Sequence, residues 1–324
     1  MTLELPDLGF GGAPIGGLLN PVADNAAVET VKTALQSGIR YFDTAPFYGF
    51  GLSEHRMGEV LRDSKDVILS SKVGRVLKPG LPKDPASYGW PRPLPFHPIF
   101  DYGYDAVMRS YEDSLQRLGR DRIDILYLHD IGPFTHPNSS EEKRHFEDAM
   151  TGGYRALDEL RQSGDVKAIG IGVNEIDVSL RALDHGDWDI FLLAGRYTLL
   201  EQAALDELLP KCESNSVKVV VGGPFNSGIL VGGTTWNYEE APLDIVQKAT
   251  KLERICQSHN VPLPAAALKF PLAHPTIESV IPGCRNPQEF TQLMEWWNTK
   301  IPLQLWSDLK NEGLISQNTP VPDI

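Results

Sequence analysis

The chain has 324 residues, 41% of them apolar and 23% charged, with a formal net charge of −13. These proportions are those of a soluble globular protein with ample chain to bury a core. The acidic balance argues against nucleic acid and anionic membrane as partners, since both need a basic patch. It leaves room for an anionic cofactor held by a few local cations and helix N-termini.

Short β-branched runs alternate with longer amphipathic stretches along the whole sequence. The first strand-like run is LGFGGA (8–13), followed by a helical pattern in NAAVETVKTALQSG (25–38). Next come RYFDT (40–44), a helix over SEHRMGEVLRD (53–63), and VILSSK (67–72). Residues 77–103 break the rhythm with prolines and aromatics. Then YDAVMRSYEDSLQRLG (104–119) sets Val107, Met108, Tyr111, Leu115 and Leu118 at three- and four-residue spacing, one apolar stripe. Gly119 ends it, as Gly38 and Gly164 end their own stretches. IDILYLH (123–129), the helical YRALDELRQSG (154–164), AIGIGV (168–173), DIFLLA (189–194) and VKVVVGG (217–223) continue the alternation. A glycine-rich segment at 224–241 interrupts it, and ESVIPG (278–283) is the eighth strand.

Alternating buried-type strands and helices predict a parallel sheet. Eight units predict a closed (β/α)₈ barrel of the TIM type, which takes roughly 250 residues or more. The expectation is one barrel domain over 1–324, with segments 77–103 and 224–241 overhanging the C-terminal face. Loops of that length in a compact domain are functional or disordered. Tyr88, Trp90, Phe96 and Trp236 argue against disorder.

Cys212, Cys256 and Cys284 are odd in number and far apart, which fits no disulfide framework and no metal spacing. A reducing compartment follows. MTLELPDLGFGG has no basic stretch leading into an apolar one, so no signal peptide is expected. No apolar run approaches the roughly 20 residues of a bilayer span. The chain reads as cytoplasmic.

Four chemistry-bearing residues lie at or just beyond strand ends: Asp43, Tyr48, Lys72 and His129. Strand ends of a parallel barrel converge on one face, so these four can share a pocket. Singly, each has a plain structural reading: an N-cap aspartate, a packing tyrosine, a solvated lysine, a satisfied histidine. Jointly, on neighbouring strands, they suit proton transfer coupled to hydride transfer. A buried lysine needs a carboxylate, which Asp43 can supply. An ammonium beside a phenol lowers its pKa from about 10. No HxH, HExxH or CxxC spacing supports a metal. No P-loop and no Rossmann glycine pattern is present. Phosphates would fall instead to GGPFNSG (222–228) and VIPGCRNPQEF (280–290), which follow strands seven and eight. That is where barrels bind phosphate, at a short helix N-terminus.

FDTAPFYG, DSLQRLGRDRIDILYLHD, GVNE and SVIPGCRNPQEF resemble the aldo-keto reductases, and the likeness runs over nearly the whole chain. FLLAGRYTLLEQ, WNYEEAP and ALKFPLAHPTIESVIPG are similar to the bacterial branch that oxidises D-threo-aldoses, L-fucose or pyridoxal. The resemblance implies a barrel that binds NAD or NADP without a Rossmann domain. It implies that Tyr48 transfers the proton, Lys72 lowers its pKa, Asp43 pairs with Lys72, and His129 orients the substrate oxygen. It assigns the nicotinamide carboxamide to Asn174. The pyrophosphate falls to the backbone of Gly223, Pro224, Phe225, Asn226 and Gly228. Gly283, Cys284 and Arg285 would sit by the adenosine ribose and Glu289 by the adenine, while Gly12 and Pro282 complete the contacts. The sequence departs from the family at Ala194, Gly222 and Leu293, where many members carry glutamine, an aromatic and asparagine. The implied substrate is a sugar oxidised at its C1 hydroxyl to the lactone. Pyridoxal, or a small aldehyde or ketone reduced with NADPH, is the alternative. With Arg285 as the one cation near the ribose loop, NAD is favoured over NADP.

Overall fold

The computed structural model describes residues 4–323. Eight parallel strands form one sheet: β1 (Phe10–Gly11), β2 (Tyr41–Asp43), β3 (Ile68–Val73), β6 (Ile125–His129), β7 (Ala168–Val173), β8 (Ile190–Ala194), β9 (Lys218–Gly222) and β12 (Ile277–Ile281). Two short antiparallel hairpins supply the intervening numbers, β4 (Arg75–Pro79) with β5 (Phe96–Phe100), and β10 (Thr235–Trp236) with β11 (Glu239–Glu240). The sheet closes where Gly9 N donates to Val280 O at 2.9 Å and Gly11 N to Pro282 O at 2.9 Å. The eight expected strands are all present, in the expected order. The first is shorter than LGFGGA suggests, with Leu8 joined to Val280 only by an isolated parallel bridge.

The helices are α1 (Asp24–Gln36), α2 (Leu52–Leu61), α3 (Tyr104–Leu118), α4 (Ser139–Asp148), α5 (Tyr154–Ser163), α6 (Ile176–Leu183), α7 (Leu208–Ser214), α8 (Leu243–Ser258), α9 (Leu263–Lys269), α10 (Pro287–Trp297) and α11 (Leu303–Asn311). On α3, Val107, Tyr111 and Leu118 are buried, with Met108 and Leu115 packed beside them, as the spacing predicts. Gly38, Gly119 and Gly164 follow α1, α3 and α5 at φ of 96°, 61° and 86°. That is the left-handed backbone that glycine adopts without strain.

Side chains alternate across each strand. The outward set, including Phe42, Leu69, Leu126, Leu128, Ile169, Ile171, Val219 and Val221, packs under the helices in one continuous core. The inward set, Tyr41, Ile125, Tyr127, Ala168, Ile190, Leu192, Val220 and Ile281, fills the barrel as a second cluster. The next inward positions towards the C-terminal face are Asp43, Lys72, His129, Gly172, Ala194 and Gly222. The barrel is thus plugged below by apolar and tyrosine side chains and ends above in a polar layer flanked by small residues. Gly172 makes room: a Cβ there would stand 3.4 Å from Lys72 Cε.

Segment 77–103 overhangs this face as expected, but most of it belongs to the β4–β5 hairpin. Residues 224–241 fold as a 3₁₀ turn over Asn226–Val231 and then β10–β11. No described helix is long and apolar enough to cross a membrane.

Candidate active site

Asp43 ends β2 and Lys72 lies one residue from the end of β3. The register sets Asp43 beside Ser70, so Asp43, Ser70 and Lys72 face the barrel interior together. Lys72 Nζ donates to Asp43 Oδ2 at 2.6 Å and to Thr44 O at 2.9 Å. Ser70 Oγ donates to Asp43 Oδ1 at 2.7 Å. The Lys72 and Asp43 side chains are only 1% and 3% exposed, so this ion pair is sealed from solvent.

Tyr48 stands in the turn after β2. Its ring centroid lies 4.7 Å from Lys72 Nζ, 5.8 Å from the His129 ring and 5.6 Å from Trp90. The catalytic candidates therefore meet on one face, as predicted from their strand-end positions. Burial pushes the Tyr48 phenol well above its usual 10.0, and the negative charges of Asp43 and Asp130 add to that. Arg75 opposes that rise. The Lys72 ammonium lies over the Tyr48 ring and donates to Asp43 and Thr44.

His129 ends β6. Its main-chain oxygen accepts from Arg75 Nη1 at 2.6 Å and Tyr102 Oη at 2.9 Å. Burial, with Arg75 and Lys72 nearby, holds its imidazole well below 6.5, so the ring is neutral at physiological pH. Nε2 lies 3.4 Å from Asp130 Oδ2, while Nδ1 is buried with no hydrogen-bond partner. Around this centre stands an aromatic wall from the β2 turn and the β4–β5 hairpin: Phe47, Trp90 and Phe100. The Arg75 guanidinium is buried between Phe47 and Phe100, with its carbon 4.7 and 5.1 Å from the two ring centroids.

From Tyr48 a groove of about 770 Å³ runs across the ends of β7, β8, β9 and β12 to α10. Gly12, Asn174, Gly223, Pro224, Phe225, Asn226, Gly228, Pro282, Gly283, Cys284, Arg285 and Glu289, the residues given to the cofactor on resemblance, all line it. Not all offer a side chain. The Asn226 amide is turned away, with Oδ1 accepting from Thr198 Oγ1 at 2.6 Å and Nδ2 donating to Glu201 Oε1 at 2.9 Å. The Cys284 thiol is buried. Gly223 and Gly228, at φ of 56° and 113°, turn the chain so that main chain rather than side chain faces the groove. At the far end Asn286 caps α10 by accepting from Glu289 N at 2.9 Å, leaving that helix N-terminus beside Arg285. A long groove with glycine-shaped main chain midway and a helix N-terminus at one end fits a dinucleotide. Ala194, Gly222 and Leu293, the three departures, also line it.

A model of the aldo/keto reductase family matches residues 7–311. The chain belongs to that family. Over 97% of its length it is 44% identical to a pyridoxal 4-dehydrogenase of Microbacterium luteolum, covering 96% of that protein. It is 37% identical to a D-threo-aldose 1-dehydrogenase of a Pseudomonas species, over 97% of this chain and 95% of that one. The structure of a Bacillus halodurans aldo-keto reductase superposes with a TM-score of 0.72 at 23% identity, over 99% and 95% of the two chains, a likeness of fold. Enzymes of the family use NAD or NADP.

Three groups at this site escape a reading from sequence. Asp130 follows His129 directly, and its carboxylate turns back into the site through a left-handed backbone at φ 43°. Arg75 was legible only as a cation three residues past Lys72. Tyr238 arrives from the glycine-rich segment, and its hydroxyl donates to Asn174 Oδ1 at 3.3 Å.

Proposed function

We propose that this enzyme oxidises the C1 hydroxyl of an aldose, of the L-fucose or D-threo-aldose kind, to the lactone. The observation that carries the reading is the sealed Lys72–Asp43 pair beneath Tyr48, at the head of a groove sized for a dinucleotide. Tyr48 is the group that takes the hydroxyl proton. Lys72, fixed by Asp43, keeps a positive charge under the ring as negative charge grows on the oxygen. His129, neutral and facing the aromatic wall, orients the substrate oxygen. When bound, the oxidised nicotinamide accepts the hydride. Asn174 and the Gly223–Gly228 main chain are the residues placed to hold that cofactor.

The pyridoxal 4-dehydrogenase at 44% identity supports a second reading. Phe47, Trp90 and Phe100 suit a flat pyridine ring as well as the apolar face of a sugar. A panel of aldoses, pyridoxal and simple aldehydes, assayed at 340 nm with both cofactors, separates the readings. An aldose should give the highest kcat/KM. Preference for pyridoxal replaces the first reading with the second. Preference for a simple aldehyde with NADPH makes the enzyme a carbonyl reductase.

Oxidation should accelerate as pH rises. Tyr48 acts as a base only when ionised, and burial holds its pKa well above 10.0. kcat/KM should therefore climb between about pH 7 and 10 without levelling off. Reduction of the product needs the protonated phenol and should not climb with it. His129, already neutral, adds no inflection near 6.5. An oxidative profile flat above neutrality would remove Tyr48 from the role.

For the cofactor we infer NAD. Arg285 Nε and Nη2 lie 3.0 and 2.9 Å from Glu289 Oε1, and Arg285 N donates to Glu289 Oε2 at 2.9 Å. The cation that a 2′-phosphate would need is already paired, and a free ribose hydroxyl suits the carboxylate better. Glu289→Gln should raise the NADP-to-NAD ratio of kcat/KM by about tenfold, or ~1.4 kcal/mol. An unsubstituted enzyme that prefers NADP tenfold would overturn the inference.

A further inference from the structure

Asp130 is a partly buried charge, its side chain 13% exposed, to which the mechanism gives no task. Its carboxylate accepts two side-chain hydrogen bonds and has a third possible donor nearby. Oδ2 lies 3.2 Å from Arg75 Nη2 and 3.4 Å from His129 Nε2, and Oδ1 accepts from Asn174 Nδ2 at 3.2 Å. Burial raises its carboxyl above 3.8, while Arg75, Lys72 and the Asn174 amide oppose the rise. Its three side-chain neighbours, Arg75, Asn174 and His129, are donors or can be, which favours the ionised form. The residue is held in the left-handed region, which costs a non-glycine residue free energy and persists only where the surroundings impose it.

Two groups on either side of this carboxylate can each face two ways. A neutral imidazole carries its proton on either nitrogen, and a carboxamide can be turned over. With the proton on His129 Nδ1, the Nε2 lone pair would point at a carboxylate and a buried N–H would have no acceptor, since Nδ1 has no partner. With the proton on Nε2, both penalties vanish. Turning Asn174 over would set its carbonyl oxygen against the Asp130 carboxylate and its NH₂ against the Tyr238 hydroxyl. We propose that Asp130 is a positioning residue that fixes proton polarity across the site: it keeps His129 as the Nε2–H tautomer and keeps Asn174 with its carbonyl facing the groove.

The consequence for binding is specific. The His129 Nε2–H stands 3.4 Å from the Asp130 carboxylate, too long for a full hydrogen bond, and so is left to be shared with the substrate oxygen, while Asn174 offers an acceptor to a ligand that carries an N–H, such as a primary carboxamide. This deepens the dehydrogenase reading and rests on it for the ligands, while the tautomer itself belongs to the free enzyme.

The test is ¹⁵N NMR of histidine-labelled free enzyme, with the His129 signals assigned by their loss in His129→Gln. Unsubstituted enzyme should show His129 neutral and protonated on Nε2. Asp130→Asn keeps the shape but can present an NH₂ to Nε2, so the Nδ1–H form should become populated. kcat/KM should fall about 10- to 100-fold, the cost of losing the hydrogen-bond partner that orients a metal-bound histidine, taken as a guide. Finding His129 protonated on Nδ1 in the unsubstituted enzyme overturns the proposal. So does an Asp130→Asn variant with the original tautomer, or one with kcat/KM within about twofold of the parent. If that variant does not fold, the tautomer of the unsubstituted enzyme decides alone. If no nicotinamide-dependent turnover is found with any substrate, the functional reading fails and the NMR result still decides the role of Asp130.

Discussion

Tyr48→Phe should leave an enzyme that folds and binds its cofactor normally but turns over roughly 10²–10⁴-fold more slowly, the contribution of one well-placed general base. The substitution removes a single oxygen. The ring keeps its place against Trp90 and His129 and over the Lys72 ammonium, because those contacts are made by ring carbons. The sealed pair beneath it does not involve the hydroxyl at all, since Lys72 Nζ donates to Asp43 and Thr44. Stability should therefore change little, and a loss of kcat reports on chemistry. Steady-state kcat with the best substrate, beside a fluorescence titration of the reduced cofactor, makes the comparison. Near-full kcat in the variant would take the proton from Tyr48 and give it to another group. Weaker cofactor binding with unchanged kcat would make Tyr48 a wall of the groove.

The barrel was legible because parallel strands buried on both faces read as unbroken β-branched runs. VILSSK, IDILYLH and AIGIGV fall within two residues of β3, β6 and β7. The run 77–103 misled for a physical reason. Pro79 and Pro98 look incompatible with a strand, yet they sit in a two-stranded ribbon where each strand has a free edge that tolerates a missing N–H. Asp43, Lys72 and His129 were legible because inward alternation and strand-end position fix where they point. The behaviour of Tyr48 was not. It depends first on burial and then on the charges of Asp43, Asp130 and Arg75 around the ring, which no residue pattern announces. Asp130 and Tyr238 were hidden for a related reason. Both reach the site through left-handed backbone, at φ 43° and 68°, which aspartate tolerates better than tyrosine. Tyr238 meets Asn174 across 64 positions of chain.

Lys72→Met should cost stability as well as activity. Removing the ammonium leaves Asp43 buried, 2% exposed, with Ser70 Oγ as its remaining side-chain donor. Breaking one side of a buried pair costs about 3–5 kcal/mol, because the surviving charge has nowhere to go. The double variant Asp43→Asn/Lys72→Met removes both charges and should recover much of that loss, while remaining inactive. The loss should also depend on pH, with a sign that follows from Asp43. Burial already raises its carboxyl above 3.8 with Lys72 present, and without Lys72 the upward pull is unopposed by any cation bonded to it. A carboxyl with a raised folded pKa binds its proton more readily in the folded state than in the unfolded one. Its contribution is therefore intact below the unfolded pKa and is lost as pH rises through the folded pKa. The deficit of Lys72→Met against the parent should be smaller near about pH 5 than near about pH 8. Urea titrations of parent, single and double variants at both pH values measure this. A deficit equal at the two pH values, and not relieved by the second substitution, would mean that the ammonium's packing against Gly172 and the Tyr48 ring matters more than the charge it neutralises.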